Sequence, residues 1–383
     1  MLRMQDPART HGSRRKRLPA ALALASTLLA AAAACGGDEG GSPRSGNTDA
    51  EVDPIKVSLL YYGNGENEYD LLWKNGAIAA LDKAYPDAYE LQEVTDVPFD
   101  EQMTQIIDQA FTQGADIVIE DIGGGELTNA ACAKHPEGVC IANHPQPEDA
   151  LPENMAGFIP RIWEMYYLQG VLAGSLTESN EIGWIAPFDV NFDTTYTNSL
   201  ALGCQSVNPD CVLRRTVINS FLDPAAARAA GKALINEGVD VLAGFQDDTT
   251  VQTVAKENDV WTFGLYRPMQ DVAGDKYITA GLFQPNIEEH ITTVLEQYRD
   301  GEVTIEPITL YDPVFDEFGP NVTEEAKKAF EAAQQEVSGR SPFFQGPIYD
   351  SDGKLRVKEG ESLPDSVPYA QWDWFVEGVE GAN

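Results

Sequence analysis

Cations are scarce in this sequence. Its 383 residues hold 26 Lys and Arg against 61 Asp and Glu, a formal charge of −35. Phosphate recognition needs clustered Lys and Arg, so the balance excludes a nucleic-acid binder. Histidine and cysteine are rarer still, four and five in the whole chain, which leaves little for a metal site. His11 falls in a basic N-terminal segment, and His135, His144 and His290 lack ligand spacing. No G-x-S-x-G elbow, Walker loop or H-E-x-x-H motif is present, nor a G-x-G-x-x-G after the first predicted strand. The expectation is a protein that is not an enzyme and carries no cofactor or metal. The 9% aromatic and 43% hydrophobic content exclude a disordered acidic tail and supply apolar material for two or three domains.

Long apolar runs are also lacking, with one exception. Residues 18–34 end in five alanines and follow Arg3, Arg9, Arg14, Arg15, Lys16 and Arg17, set against the single acid Asp6. Basic segment, apolar run and small-residue site make residues 1–34 a predicted secretory signal. The run is shorter than the ~20 apolar residues of a spanning helix. Ala32-Ala33-Ala34-Cys35 resembles a bacterial lipobox, which implies a diacylglycerol on Cys35 and a protein anchored on the extracytoplasmic face of the cell membrane. Plain secretion with cleavage elsewhere is the alternative, and Ser13-Arg14-Arg15 leaves a twin-arginine route open. Residues 36–54, with five glycines and almost no apolar side chains, read as a flexible tether. Removing residues 1–34 takes away six basic residues and one acid, leaving 20 against 60 and a charge of −40. So acidic a body cannot hold anionic lipid through a polybasic patch.

Four further cysteines form two local pairs, Cys132 with Cys140 and Cys204 with Cys211. An even count outside the cytoplasm favours disulfides over buried free thiols. A four-thiolate zinc site would lack any C-x-x-C knuckle.

From residue 55 onward, short β-rich runs alternate with amphipathic stretches of helical length. Strands are predicted at 55–61, 89–94, 115–120, 139–143, 155–159, 182–186, 212–219, 239–244, 260–264 and 277–280. Continuous apolar strands alternating with helices predict an α/β fold of two doubly wound parallel-sheet lobes facing each other across a cleft. The predicted division is 55–155 plus 281–345 for one lobe and 156–280 for the other. Residues 346–383 form a tail whose Trp372, Trp374 and Phe375 pin it onto the body.

Aromatic and polar residues gather at the strand ends, where such a cleft would lie. Asn64, Tyr69 and Trp73 follow the first strand, and Asp121 follows the third. Phe158, Phe188, Phe221, Gln246, Asp247 and Tyr266 occupy equivalent places later in the chain. Rings to stack on, with a few amides and carboxylates for a polar edge, suit a flat heteroaromatic ligand. Gly123-Gly124-Gly125 reads either as an anion cradle or, more commonly, as a tight strand-to-helix turn.

Several stretches resemble the basic membrane protein family of ABC-transporter substrate-binding lipoproteins. They include Glu164…Tyr167-Leu168-Gln169-Gly170…Ala173-Gly174, Ile182-Gly183-Trp184, Asn198…Leu202-Gly203 with Ser206-Val207-Asn208-Pro209, and Ser220-Phe221-x-Asp223-Pro224. The closing Gly346-Pro347-Ile348-Tyr349-Asp350 and Trp374-Phe375-Val376-Glu377-Gly378-Val379 are similar to one branch of it. The resemblance implies a type I periplasmic-binding-protein fold, with crossovers near residues 156, 280 and 315. It also implies ABC permease subunits as partners and a purine nucleobase or nucleoside as ligand. By resemblance Phe221 stacks on the base, Tyr69 or Trp73 opposes it, and Asn64 and Asp121 supply polar contacts. Where the family has G-x-D-x-D-Q, this chain has Gly264-Leu265-Tyr266-Arg267-Pro268-Met269, and the family's later lysine falls near Phe283-Gln284. Those departures remove ribose contacts and favour a free base as much as a nucleoside. A ligand-sensing lipoprotein for a membrane receptor would share this site, and a nucleoside hydrolase would need a carboxylate-rich cleft.

Overall fold

The computed structural model describes residues 54–145, 151–301, 308–338, 343–364, 366–367 and 372–381. The expected signal, Cys35 and all of the tether but Pro54 lie outside these residues. The first half runs β1 (Ile55–Leu60), α1 (Glu68–Ala84), β2 (Tyr89–Val94), α2 (Glu101–Thr112), β3 (Ile117–Glu120), α3 (Glu126–Cys132), β4 (Val139–Asn143) and β5 (Met155–Pro160). Next come α4 (Ile162–Leu176), β6 (Glu181–Ala186), α5 (Asn191–Val207), β7 (Val212–Val217), α6 (Pro224–Glu237), β8 (Val241–Gly244), α7 (Thr250–Glu257) and β9 (Trp261–Leu265). After α8 (Gln270–Ala273) follow β10 (Tyr277–Leu282), α9 (Gln284–Asp300), β11 (Ile308–Tyr311), β12 (Val314–Phe315) and α10 (Glu324–Val337). The chain closes with β13 (Ile348–Tyr349), β14 (Leu355–Val357) and β15 (Val379–Glu380).

Two sheets organise these elements, in the orders β11-β5-β4-β3-β1-β2 and β12-β10-β9-β8-β6-β7-β15. Within each lobe the five main strands therefore run 2-1-3-4-5, and all their pairings are parallel. β3 and β4 are buried along their whole length, as expected of strands covered on both faces. Local chemistry sets the helix ends. The Asp223 carboxylate accepts from the Ala225 and Ala226 amides, Pro224 occupies the first turn of α6, and Gly238 closes the helix at φ 114°. Between α4 and α5 the backbones nearly touch. A methyl group at Gly203 would lie 1.9 Å from the Tyr167 carbonyl oxygen, so only glycine permits this approach.

The lobe boundaries differ from the sequence-based division. β5 pairs in register with β4 and belongs to the first sheet, because its hydrogen-bond ladder continues to Phe158. β12 pairs antiparallel with β10, and α10 packs on α4, so both sit with the second lobe. Phe315 and Phe318 anchor this segment edge-on against Phe330 of α10. The chain thus passes between sheets at Arg161, Phe283 and residues 312–313. Two of these crossings are tied together: the Arg161 amide donates to the Tyr311 carbonyl at 2.9 Å, and its guanidinium pairs with Asp312 at 2.6 Å.

The tail packs on the second lobe. β15 adds a parallel edge strand to β7, Trp372 is fully buried against Phe344, and Asn198 of α5 bonds the Trp374 carbonyl and the Val376 amide. Disulfides join Cys132 to Cys140 and Cys204 to Cys211, with Cα–Cα distances of 6.2 and 6.0 Å.

Candidate functional site

A cleft of about 800 Å³ opens between the carboxyl ends of the two sets of strands. From the first lobe it receives the turn after β1, the start of α1, the β3–α3 loop and the end of β4. The second lobe contributes the loops after β6, β7, β8 and β9, and α9 closes the back.

The first-lobe wall is a hydrogen-bonded scaffold. Asp70 accepts from the Gly65 amide and from Asn67 Nδ2, both at 2.7 Å, which folds the β1–α1 turn. Tyr69 Oη donates to the Asp121 carbonyl at 3.0 Å and accepts from Asn143 Nδ2 at 2.8 Å. Asp121 Oδ1 accepts from the Tyr62 amide at 3.1 Å, whereas Oδ2 is buried with no protein donor. Burial pushes the Asp121 pKa well above the ordinary carboxyl range, and the nearby Asp70 adds to this. The triple glycine is a turn, not an anion cradle. The Gly123 amide and that of the preceding Ile122 donate to Glu120, whose pKa burial raises to about 8.

Rings dominate the second-lobe wall. Phe221 lies 5.0 Å from Phe188, 6.2 Å from Phe192 and 6.2 Å from Phe245, centroid to centroid. Arg215 braces this wall from behind. Its guanidinium bonds Asp193 at 2.8 Å and the Phe188 carbonyl at 3.2 Å, and lies 5.0 Å from the tail's Phe375 ring. Tyr266 holds a left-handed backbone at φ 71°, rare outside glycine, and donates to Asp247 Oδ1 at 3.2 Å. Burial lifts the Asp247 pKa to about 7. Phe283, at the position where the family resemblance expects lysine, is a buried ring on the cleft.

The walls touch. Tyr62 meets Phe221 edge-on at 6.3 Å, and Tyr69 packs against Tyr266 at 5.3 Å. The Glu68 amide donates to the Asp247 carbonyl at 3.2 Å, and the Glu68 carboxylate pairs with Arg267 through bonds of 2.8 and 3.1 Å.

Of the residues expected at the site, Tyr69, Trp73, Asp121, Phe158, Phe188, Phe221, Asp247 and Tyr266 line the cleft. Trp73 and Phe158 form its floor, edge to face at 5.4 Å and almost wholly buried. Asn64 does not line it; its side chain is exposed and accepts from the Glu66 amide within the turn. Gln246 also points away and donates to the Ile185 carbonyl. Side chains leaving a strand alternate between faces, so Phe245 and Asp247 enter the cleft while Gln246 between them turns inward. Tyr62, another aromatic that follows the first strand, also lines the cleft; Phe192, Phe245, Asn143 and His144 line it too and were not anticipated. Phe192 and Tyr196 share a face one helical turn apart, a spacing equally typical of core packing.

Among the described residues no group of His, Cys, Asp and Glu could hold a metal ion, and no helix is long and apolar enough to cross a membrane. Residues 138–306 match the model of the Bmp family, PnrA-like ABC transporter substrate-binding proteins. That match covers less than half of the chain. Its similarity to curated proteins extends over 60% of its length in two cases. One, TsgA13 of Haloferax volcanii, is named for glucose binding in an ABC transporter and is 33% identical over 56% of its own length. The other, a purine-binding protein of Brucella abortus, is 30% identical over 65% of its own length. The chain thus spans less than two thirds of either relative. A solved ABC-transporter solute-binding protein from Aeropyrum pernix K1 has the same fold, with a TM-score of 0.64 at 15% identity over 74% of this chain and 91% of that one. The two-lobed α/β fold of this chain is that of periplasmic-type solute-binding proteins.

Proposed function

We propose that the protein is the extracytoplasmic binding component of an ABC importer and that it captures a purine base, or a similar uncharged planar ring, between its lobes. The observation that carries this reading is the set of rings around Phe221, drawn from both lobes and combined with only a few polar groups. A flat ring buried there gains stacking on each face and needs hydrogen bonds only along its edges. The ligand enters between open lobes, which hinge about the crossings at 161, 283 and 312–313, and the closed form is what a permease recognises. The family-model match over residues 138–306 and the purine-binding relative support the role.

The glucose-binding name of TsgA13 favours a second reading, a sugar. A hexose buries five hydroxyls and a ring oxygen, each costly without a partner. The Tyr69 and Tyr266 hydroxyls and the Asn143 amide are spent on neighbouring groups, which leaves chiefly the Asp121 and Asp247 carboxylates to meet a ligand, too few partners for a hexose. The cleft therefore suits a ring with few polar atoms better.

Cys35 carries the lipid anchor in this reading, and residues 36–54 are the leash that holds the domain at the outer membrane face. Mass spectrometry of the mature N-terminal peptide tests this, with a diacylglyceryl Cys35 expected. For the ligand, the decisive experiment is calorimetry with adenine, hypoxanthine, adenosine and glucose, beside mass spectrometry of molecules that copurify. Purine binding without glucose binding is expected; the reverse result replaces the reading with the sugar one. Release of free base from inosine would make the protein a hydrolase. Loss of purine uptake on deletion separates an importer component from a receptor's sensor.

A further inference from the structure

The cleft contains acids and no strong bases. Among the described residues Asp70, Asp121, Glu126 and Asp247 line it, and no Lys or Arg does. His144 cannot supply a positive charge near neutral pH, because burial lowers its pKa to about 4. Asp70 is spent on the β1–α1 turn, but the other two buried acids are not. Asp121 is 1% exposed and its Oδ2 has no donor. Asp247 is 9% exposed, and among the described residues its carboxylate receives one side-chain bond, from Tyr266.

At pH 8, above the value of about 7 to which burial lifts Asp247, its carboxylate is ionised and only accepts hydrogen bonds, so it demands donors from whatever fills the cleft, and the buried Asp121 Oδ2 needs a partner there too. The surrounding ring faces are electron-rich and favour the same partially positive edges. An anion would meet carboxylates on both walls with nothing to neutralise it.

Resting on the purine-like reading above, we infer that the cleft selects planar heterocycles presenting N–H donors at two opposite edges, one to Asp121 and one to Asp247, and rejects anionic rings. Asp247 is the specificity-determining residue on the second-lobe wall. Its carbonyl already accepts the Glu68 amide across the cleft, so reading the ligand edge and closing the lobes involve the same residue. Tyr266, held at φ 71°, fixes the Asp247 carboxylate through Oδ1 and leaves the other oxygen for the ligand.

The test is calorimetry at pH 8 with 2,6-diaminopurine, hypoxanthine, urate and glucose, on the wild type, Asp247→Asn and Asp121→Asn. We expect diaminopurine to bind at least 100-fold more tightly than urate, an anion at this pH. Asp247→Asn should weaken diaminopurine at least tenfold and narrow its advantage over hypoxanthine, since an amide can also donate to a ring carbonyl. The unliganded melting temperature of that variant should hold or rise, which separates lost recognition from lost folding. Urate binding as tightly as diaminopurine, or an unchanged ligand ranking in both variants, overturns the inference and leaves the purine reading standing. Glucose binding with no purine binding overturns the reading and this inference with it.

Discussion

Phe221→Ala is the most informative single change. The Phe221 ring is half-buried, packed on Phe188 and Phe192 of its own lobe and met edge-on by Tyr62 across the cleft. Stacking of an aromatic side chain on a base contributes roughly 1–3 kcal/mol by alanine substitution. The dry, ring-lined setting puts Phe221 at about 2 kcal/mol or more, which corresponds to a dissociation constant about 30-fold higher. Stability should suffer less. A fully buried Phe→Ala costs about 3–5 kcal/mol, and a ring that already meets solvent should cost roughly 1–2. In a body of this size that lowers the melting temperature by only a few degrees. Calorimetry and a thermal melt on the same sample separate the two effects, and Phe221→Leu and Phe221→Trp complete the series. Tryptophan should preserve binding, while leucine, similar in bulk but without a π face, should lose much of it. Unchanged affinity in the alanine variant, or leucine binding as well as phenylalanine, refutes the stacking role.

Three further outcomes follow from the geometry. Glu120 and Asp247 have pKa values raised by burial from 4.5 to about 8 and from 3.8 to about 7, so their protonated forms favour the fold. That contribution is complete below about pH 4 and is lost as pH rises toward 8, so the unliganded protein should melt higher near pH 5 than at pH 8.5. Glu120→Gln should flatten that slope; an unaltered slope would place the effect in the overall negative charge. Breaking the Glu68–Arg267 pair by Arg267→Ala should speed ligand release several-fold in stopped-flow fluorescence, because a partly exposed pair contributes only about 1 kcal/mol and opening the lobes must break it. High salt should mimic the variant, and an unchanged release rate would show that the pair does not hold the walls together. Gly203→Ala should cost about 3 kcal/mol or more in chemical denaturation, since the added methyl meets the Tyr167 backbone and not a movable side chain; a neutral result would mean that α4 and α5 can part.

What the sequence by itself determined is the alternation of elements and the loops that carry the site. Runs such as 117–119 and 139–142 are apolar throughout, and that pattern has few solutions besides a strand covered on both faces. Aromatics placed just after strands then fall at one end of each sheet, which is how Phe188, Phe221, Asp247 and Tyr266 could be read directly. The tertiary structure decided which neighbour faces the ligand. Gln246 and Asp247 differ by one position and point to opposite sides, and Asn64 folds its own turn while Tyr62 reaches the cleft. It also decided the lobe boundaries, because β5 and β12 are assigned by the strands they hydrogen-bond to. The unpartnered oxygen of Asp121 and the Glu68–Arg267 contact have no local signature at all. They exist because two lobes, each legible on its own, close on each other, and the distance between groups some 200 residues apart is a property of that closure.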